Sequence, residues 1–275
     1  MGSLVDTHCH LVLLEEWGLL EAALESAAAA GVGRIVTVGL DLDDSDKNRR
    51  LAEAHAGVWF TVGWHPHIPA PPDRAQLRAL GELLRHPRAV AVGEIGLDYF
   101  WRPGYHEVPA DVQKRSLRAM LELAVAYDKP VVVHDRDAHE DVVAELAAGL
   151  PARGSRGRPA GVFHCFSGGP ALVASAQQLG MLCSFAGTLT YPRTEAIRAA
   201  ARAVTPDAHV VETDAPFLAP VPHRGRPNLP GYVAATAAAL AVLRGEPDDV
   251  VTARCTANAE RLFGLPRSGD DHVAG

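Results

Sequence analysis

Short apolar segments and longer amphipathic segments alternate along the whole chain. The apolar segments are rich in valine and carry no helical period, which predicts β-strands. We place these strands at 5–11, 34–39, 58–63, 89–94, 130–134, 161–166, 181–185 and 208–214. The amphipathic segments, several ended by glycine, predict helices. We place the helices at 15–30, 43–55, 73–85, 111–127, 137–148, 170–179, 193–204, 231–244 and 248–263.

The order of these elements predicts the fold. Near-continuous apolar strands that alternate with helices are typical of a parallel sheet covered on both faces. Eight such units in 275 residues predict an α/β protein with a single (β/α)8 TIM barrel rather than an open doubly wound sheet. No Gly-x-Gly-x-x-Gly follows the first strand, which agrees with this choice. We expect one domain over 1–265 and a flexible C-terminal tail over 266–275.

Composition narrows the class of protein further. A hydrophobic content of 48% with 21% charged residues is that of a globular protein with a sizeable core. The net charge of 26 − 33 = −7 argues against a broad basic surface that grips nucleic acid. The four cysteines form no C-x-x-C pair, which favours reduced thiols. With no secretory leader or membrane span visible, we expect a cytoplasmic monomer with no membrane partner.

Acidic and imidazole side chains stand at the ends of five predicted strands. They are His8 and His10 on the first strand, then Glu94, His134, His164 and Asp214 on the fourth, fifth, sixth and eighth. In a closed barrel these ends meet at one mouth, where the six groups would be costly to bury unless a cation held them. Six ligands exceed what one tetrahedral ion needs, so we expect two divalent ions, Mg²⁺, Zn²⁺ or Mn²⁺, bridged by Glu94.

Further polar residues near the same mouth are candidates for catalysis and substrate binding. Glu212 and Asp214 lie two apart, so one would orient or deprotonate a water while the other supports the metal ligands. His65 is a candidate to bind a substrate phosphate or to protonate a leaving group. Arg136 and Arg224 would direct guanidinium groups at phosphate.

Several motifs together resemble the TatD family of metal-dependent deoxyribonucleases, within the amidohydrolase-type barrels. They are DTHCHL at 6–11, GWHPH at 63–67, GEIGLDY at 93–99, VHDR at 133–136, HCFSG at 164–168 and ETDAPFLAP at 212–220. Segment 255–264 resembles the family's terminal helix, so the resemblance covers about residues 4–265 in order.

The resemblance implies both a metal arrangement and an activity. One ion would be held by His8, His10, Glu94 and Asp214, and the other by Glu94, His134 and His164. The activity implied is phosphodiester hydrolysis, often 3′→5′ on single-stranded DNA, which would make DNA the substrate.

One departure from the family keeps the substrate open. Where the family commonly carries Asn-Glu-Pro, this chain has Asn228, Leu229 and Pro230. A fold and a metal site do not by themselves fix the scissile bond. The alternative is a metal-dependent hydrolase of a small ester, amide or lactone, or an aminoacyl-tRNA deacylase, that uses the same site.

Overall fold

Eight parallel strands pair in chain order to form a nearly closed barrel. This computed structural model describes residues 4–102, 104–151 and 157–267. The strands are β1 (Leu4–Cys9), β2 (Val32–Thr37), β3 (Val58–Val62), β4 (Ala89–Asp98), β5 (Val131–Arg136), β6 (Gly161–Phe163), β7 (Met181–Phe185) and β8 (His209–Val211). The predicted (β/α)8 TIM barrel is therefore confirmed.

Helices join each strand to the next, and two more follow β8. They are α1 (Leu11–Glu16), α2 (Leu20–Ala29), α3 (Leu42–Ala54), α4 (Arg74–Leu84), α5 (Ala110–Ala126), α6 (His139–Gly149), α7 (Pro170–Gln178), α8 (Glu195–Ala203), α9 (Val233–Arg244) and α10 (Asp248–Phe263). Within the described ranges, every helix is too short or too polar to cross a bilayer.

Three sequence predictions of local structure need comment. The single helix predicted over 15–30 is wrong, because Gly18 adopts φ +70° and separates α1 from α2. The fourth strand was predicted to end at Glu94, but β4 continues to Asp98, so Glu94 lies inside the strand. The tail prediction falls mostly on 268–275, which lie outside the described residues.

The barrel closes where β1 meets the segment that follows β8. The Asp214 N–H donates to the His8 carbonyl at 2.9 Å, and the His10 N–H donates to the Ala215 carbonyl at 2.8 Å. These backbone bonds join the first strand to the last polar segment of the barrel. Three of the predicted metal ligands, His8, His10 and Asp214, are thereby brought together where the barrel closes.

The barrel interior is apolar at the end opposite the predicted metal ligands. One buried cluster gathers residues from seven of the strands with residues of α10, namely Val5, Val36, Val90, Ala91, Val132, Val162, Leu182, Val210, Ala259, Leu262 and Phe263. Side chains from so many strands can meet only inside the barrel. The helix α10 therefore packs against one end of this core, and the polar residues lie toward the other end.

Two glycines permit close backbone approaches beside the polar end. Gly96 adopts φ +149°, and a Cβ there would lie 1.9 Å from the His134 carbonyl oxygen. A Cβ on Gly63 would lie 2.0 Å from the Gly39 carbonyl oxygen and 2.4 Å from the Glu94 nitrogen. Glycine is thus required at both positions for β3, β4 and β5 to hold Glu94 and His134 where they are.

Candidate metal centre

The structure brings all six predicted ligand side chains together at the C-terminal end of the barrel. They are His8 and His10 from β1 and the residue after it, Glu94 from β4, His134 from β5, His164 directly after β6, and Asp214 shortly after β8. We call this group the mouth cluster. Two overlapping groups of three donor atoms lie within it, each with all atoms within 4.8 Å of one another: His8, His164 and Asp214, and His8, His10 and Glu94.

Glu94 lies at the middle of the mouth cluster. Its Oε1 is 2.8 Å from His134 Nδ1 and 2.9 Å from His164 Nε2. Its Oε2 points elsewhere and lies 3.5 Å from His8 Nε2. Because the two oxygens face different imidazoles, this carboxylate has the geometry to bridge two cations.

His8 is the clearest sign that a cation belongs here. Its ring is fully buried and stacks on His164 with 4.0 Å between centroids. Within the described chain, neither ring nitrogen of His8 has a hydrogen-bond partner. Buried imidazole nitrogens are rarely left without a partner, and the Asp214 carboxylate lies only 3.6 Å from Nε2. The donor set therefore fits a divalent ion.

The carboxylates of the cluster are held in their charged forms. Burial alone would raise the pKa of Glu94, but the charge of His164 and hydrogen bonds from His134 and His164 hold it well below its usual value. Burial would also raise the pKa of Asp214. The hydrogen bond with His10 at 3.2 Å outweighs this effect, so the pKa of Asp214 lies below its usual value. The mouth therefore presents buried negative charge.

The imidazoles divide into two kinds. Burial lowers the pKa of His8, so this ring stays neutral and able to bind a metal. For His164 burial acts in the same direction, but the charges of Glu94 and Glu212 outweigh it and raise its pKa well above the usual value. A proton on His164 thus balances the same carboxylates that a cation would neutralise.

Glu212 contacts the ring nitrogen of His164 that faces away from Glu94. Its Oε1 lies 3.3 Å from His164 Nδ1 and accepts a hydrogen bond from the Cys165 N–H at 2.6 Å. This contact leaves Nε2 of His164 directed at Glu94. Glu212 is therefore placed to orient a ligand rather than to contact a substrate.

Asp98 supports His134 in the same way, and sequence reasoning missed it. Its Oδ2 lies 3.1 Å from His134 Nε2, which leaves His134 Nδ1 toward Glu94. The imidazoles of His134 and His67 outweigh burial and hold the Asp98 pKa below its usual range. Asp98 lies four residues after Glu94 in the same strand. Because side chains alternate between faces, this even spacing could have indicated that Asp98 lies on the same face as Glu94.

His65 lies at the edge of the mouth cluster. Its Nε2 is 3.5 Å from Glu94 Oε1, and its Nδ1 accepts a hydrogen bond from the His67 N–H at 3.2 Å. Burial lowers the pKa of His65 to about 4. The proton of the neutral ring therefore resides on Nε2, which faces the centre.

The two predicted phosphate arginines lie outside the cluster. Arg136 donates to the Tyr105 hydroxyl at 2.8 Å, and its guanidinium lies 3.9 Å from the centroid of the Phe100 ring. Arg224 is exposed and lies over the ring of Tyr191 at 4.2 Å. In the part of the chain that the structure describes, no hydrogen bond or ion pair joins either arginine to the mouth cluster.

Two exposed aromatic residues beside the cluster were also missed. The side chains of Trp17 and Phe217 are 49% and 47% exposed, and their ring centroids lie 6.4 Å apart. Phe217 in turn lies 6.0 Å from His10. No periodicity points to them, because one follows α1 and the other lies in the loop after β8.

Comparison with known proteins finds one family across the whole barrel. The family model described as TatD related DNase matches residues 5–264. A metal-dependent hydrolase of Bacillus subtilis, YabD, is 34% identical over 261 residues, which span 94% of this chain and 98% of the relative.

Two further relatives add a structure and a named activity. The crystal structure of YjjV, a TatD homologue from Escherichia coli, has a TM-score of 0.86 and 33% identity, and the match covers 96% of this chain and 98% of that one. A Klebsiella pneumoniae protein named 3′-5′ ssDNA/RNA exonuclease TatD is 33% identical over 88% of this chain and 91% of its own length.

Proposed function

Because the chain belongs to the TatD family of metal-dependent hydrolases, we propose that it is a deoxyribonuclease that shortens single-stranded DNA from the 3′ end. The observation that carries the proposal is the mouth cluster, in which a central Glu94 presents its two oxygens to different imidazoles. The exonuclease name of the Klebsiella relative supports the choice of substrate and polarity.

We propose that the mouth cluster holds two divalent ions that share Glu94. One ion would be held by His8, His10, Glu94 and Asp214, and the other by Glu94, His134 and His164. Two such ions supply an activated water and neutralise the charge that develops on a phosphoryl group. The imidazoles suit Zn²⁺ and Mn²⁺, while the carboxylates admit Mg²⁺ as well.

Asp214 is the proposed base. Its carboxylate is held ionised beside His10 and lies at the mouth, so it can orient the attacking water and accept its proton. The residue adopts φ +59°, a conformation that its N–H bond to the His8 carbonyl helps to maintain. Glu212 acts through His164 and is a positioning residue.

His65 is proposed to bind the scissile phosphate. Because its Nδ1 accepts the His67 N–H, its Nε2 carries the proton and is a neutral donor aimed into the mouth. Of the two roles predicted from the sequence, phosphate binding therefore suits this ring better than protonation of a leaving group. Arg136 and Arg224 are proposed to contact phosphates farther along the strand.

The exposed aromatics give the bases of a single strand a place to stack. Trp17 and Phe217 stand edge to face beside His10. Bases stack on aromatic faces without regard to sequence, and each stacked base contributes about 1–3 kcal/mol. This surface favours a nucleic acid over a small ester, amide or lactone.

The proposal is tested with single-stranded DNA labelled at the 3′ or the 5′ end. Metal-stripped protein is supplied with Mg²⁺, Mn²⁺ or Zn²⁺, beside Glu94→Ala, His134→Ala and the surface control Glu82→Ala. We expect stepwise shortening from the 3′ end that needs metal, is lost in the two cluster variants and persists in the control.

Two results would contradict the proposal. One is retained cleavage in both cluster variants. The other is no cleavage by wild-type protein that holds its ions, together with turnover of an ester, amide, lactone or aminoacyl-tRNA. The second result would establish the alternative hydrolase.

A further inference from the structure

A second group of ligand-type side chains lies next to the mouth cluster, and one of its members, Asp98, also contacts His134. It consists of His67, after β3, Asp98, at the end of β4, and His106, in the segment before α5. One donor atom from each residue lies within 4.8 Å of the others. We call this group the rim triad.

Asp98 is the hub of the rim triad. Its Oδ2 lies 2.9 Å from His67 Nε2 and 3.2 Å from the Tyr105 hydroxyl. Its Oδ1 lies 3.7 Å from His106 Nε2, which is too long for a hydrogen bond. The carboxylate is itself fully buried. The triad thus places one buried carboxylate between two imidazoles, and the same Oδ2 also lies 3.1 Å from Nε2 of His134.

His106 points to a ligand independently of this clustering. Its side chain is only 9% exposed, and its Nε2 is buried with no hydrogen-bond partner in the described residues. The ring stacks on His67 with 4.2 Å between centroids and 23° between planes, so the two rings lie side by side against Asp98. A buried nitrogen without a partner, aimed at a carboxylate, calls for a bound group.

The spacing of the donor atoms suits a tetrahedral ion. Two donors that are each about 2.0–2.1 Å from Zn²⁺ stand about 3.3 Å apart in a tetrahedral site. His67 Nε2 lies 2.9 Å from Asp98 Oδ2, and His106 Nε2 lies 3.7 Å from the other oxygen, Oδ1, so the two separations lie on either side of that value. Small side-chain movements would therefore complete the site.

The tautomers of the two rings also allow metal binding at Nε2. Nδ1 of His106 has only a long 3.4 Å contact with the Val108 N–H, so moving the ring proton to Nδ1 gives up little. The side chain of His67 is 26% exposed, which lets its Nδ1 carry a proton toward water.

We propose that His67, Asp98 and His106 bind a third divalent ion of the Zn²⁺ type, separate from the ions of the mouth cluster. Two imidazoles and one carboxylate are the ligands of zinc sites that keep a fourth position open. Mg²⁺ is disfavoured, because it prefers oxygen ligands in an octahedral arrangement. The Tyr105 hydroxyl or a water would fill the fourth position.

The proposal is tested by counting zinc. Full-length wild-type protein, His106→Phe and the control His86→Phe are dialysed to equilibrium against buffered Zn²⁺, and bound zinc per chain is measured by mass spectrometry. Phenylalanine keeps a ring to stack on His67 but removes the nitrogen. The control removes another imidazole that faces a carboxylate, since His86 Nε2 lies 3.4 Å from Glu53.

We expect His106→Phe to bind one zinc fewer than both the wild type and the control. Equal zinc in all three proteins would overturn the proposal. The difference of one does not depend on how many ions the mouth cluster holds, so a failure here is distinct from a failure of the nuclease proposal.

Anomalous diffraction from zinc-soaked wild-type crystals gives a second test that needs no variant. We expect a zinc peak within coordination distance of His67, Asp98 and His106. Zinc peaks at the mouth cluster with none at the rim triad would overturn the proposal.

Discussion

A single residue, Glu94, controls the electrostatics of the barrel mouth. It is buried and ionised, and it faces the imidazoles of His8, His134 and His164. Removing one partner from a buried charged pair leaves the other uncompensated, which costs about 3–5 kcal/mol. Glu94 therefore matters for both the integrity of the centre and its metal affinity, and variants of it need a metal measurement beside any activity assay.

Glu212 offers a more selective test at the residue scale. Glu212→Gln keeps an oxygen for the Cys165 N–H but removes the charge beside His164 Nδ1. We expect the affinity for activating metal to fall by about 10–100-fold. Metal titrations of activity, with unfolding midpoints recorded in parallel and Glu82→Gln as control, check this. Unchanged metal affinity with lowered stability would assign Glu212 a purely structural role.

The buried side chain of His209 is expected to make the stability of the fold depend on pH. It lies at the start of β8, away from the mouth, where Nδ1 donates to the Thr205 carbonyl at 3.1 Å. Burial lowers its pKa from 6.5 to about 4. Below pH 6.5 His209 is therefore protonated in the unfolded chain, whereas in the folded chain it stays neutral until about pH 4. Acid therefore favours unfolding.

The expected loss is about 2 kcal/mol of unfolding free energy between about pH 7 and about pH 5. His209→Asn retains a donor for Thr205 but does not titrate, so it should lose about 2 kcal/mol less than wild type over the same interval. Urea denaturation at the two pH values measures the difference. Equal losses in the two proteins would show that His209 is not the acid-sensitive group.

At the scale of elements, the mouth depends on how β4 lies between its neighbours. β4 pairs with β3 on one side and with β5 on the other, and its register with β5 shifts between Val92 and Ile95. The shift brackets Glu94, and Gly96 then allows close approach to the His134 carbonyl. Local irregularity in one strand thus determines where the central carboxylate stands.

The helix α4 gives a local test of the elements that surround the barrel. Asp73 caps it by accepting from the Ala75 and Gln76 N–H groups, and the Gln76 side chain accepts from the Asp73 N–H. Asp73→Ala should lower the unfolding free energy by about 1 kcal/mol, whereas Asp73→Asn should cost much less. Urea unfolding of the three proteins checks this, and an equal effect of both variants would contradict the cap.

At the scale of the whole molecule, the alternation of apolar and amphipathic segments was enough to predict the barrel. The six ligands lie near the C-terminal ends of predicted strands. Because parallel strands in a barrel direct these ends to one mouth, the sequence also predicted that the ligands meet. It did not reveal Asp98 or His106. Asp98 lies beyond the predicted end of the fourth strand at Glu94, and His106 reaches Asp98 only through the tertiary path of a loop.

Leu229 shows the same limit for substrate choice. It stands where the resemblance led us to expect glutamate, and the structure packs it against the hydrophobic core. Its neighbour Asn228 holds the loop after β8 by donating to the Thr213 and Phe217 carbonyls at 2.8 and 2.7 Å. The sequence marked Leu229 as a departure, but only the packing explains why the loop accepts an apolar residue there.

The most direct test of the two-ion nuclease is a metal titration of activity. Metal-free protein is given increasing equivalents of Mn²⁺ while cleavage of labelled single-stranded DNA and bound Mn²⁺ are both measured. We predict negligible cleavage with one ion bound and full activity once a second ion joins it across Glu94. Full activity with one bound ion, or no cleavage at saturating Mn²⁺, would contradict this account.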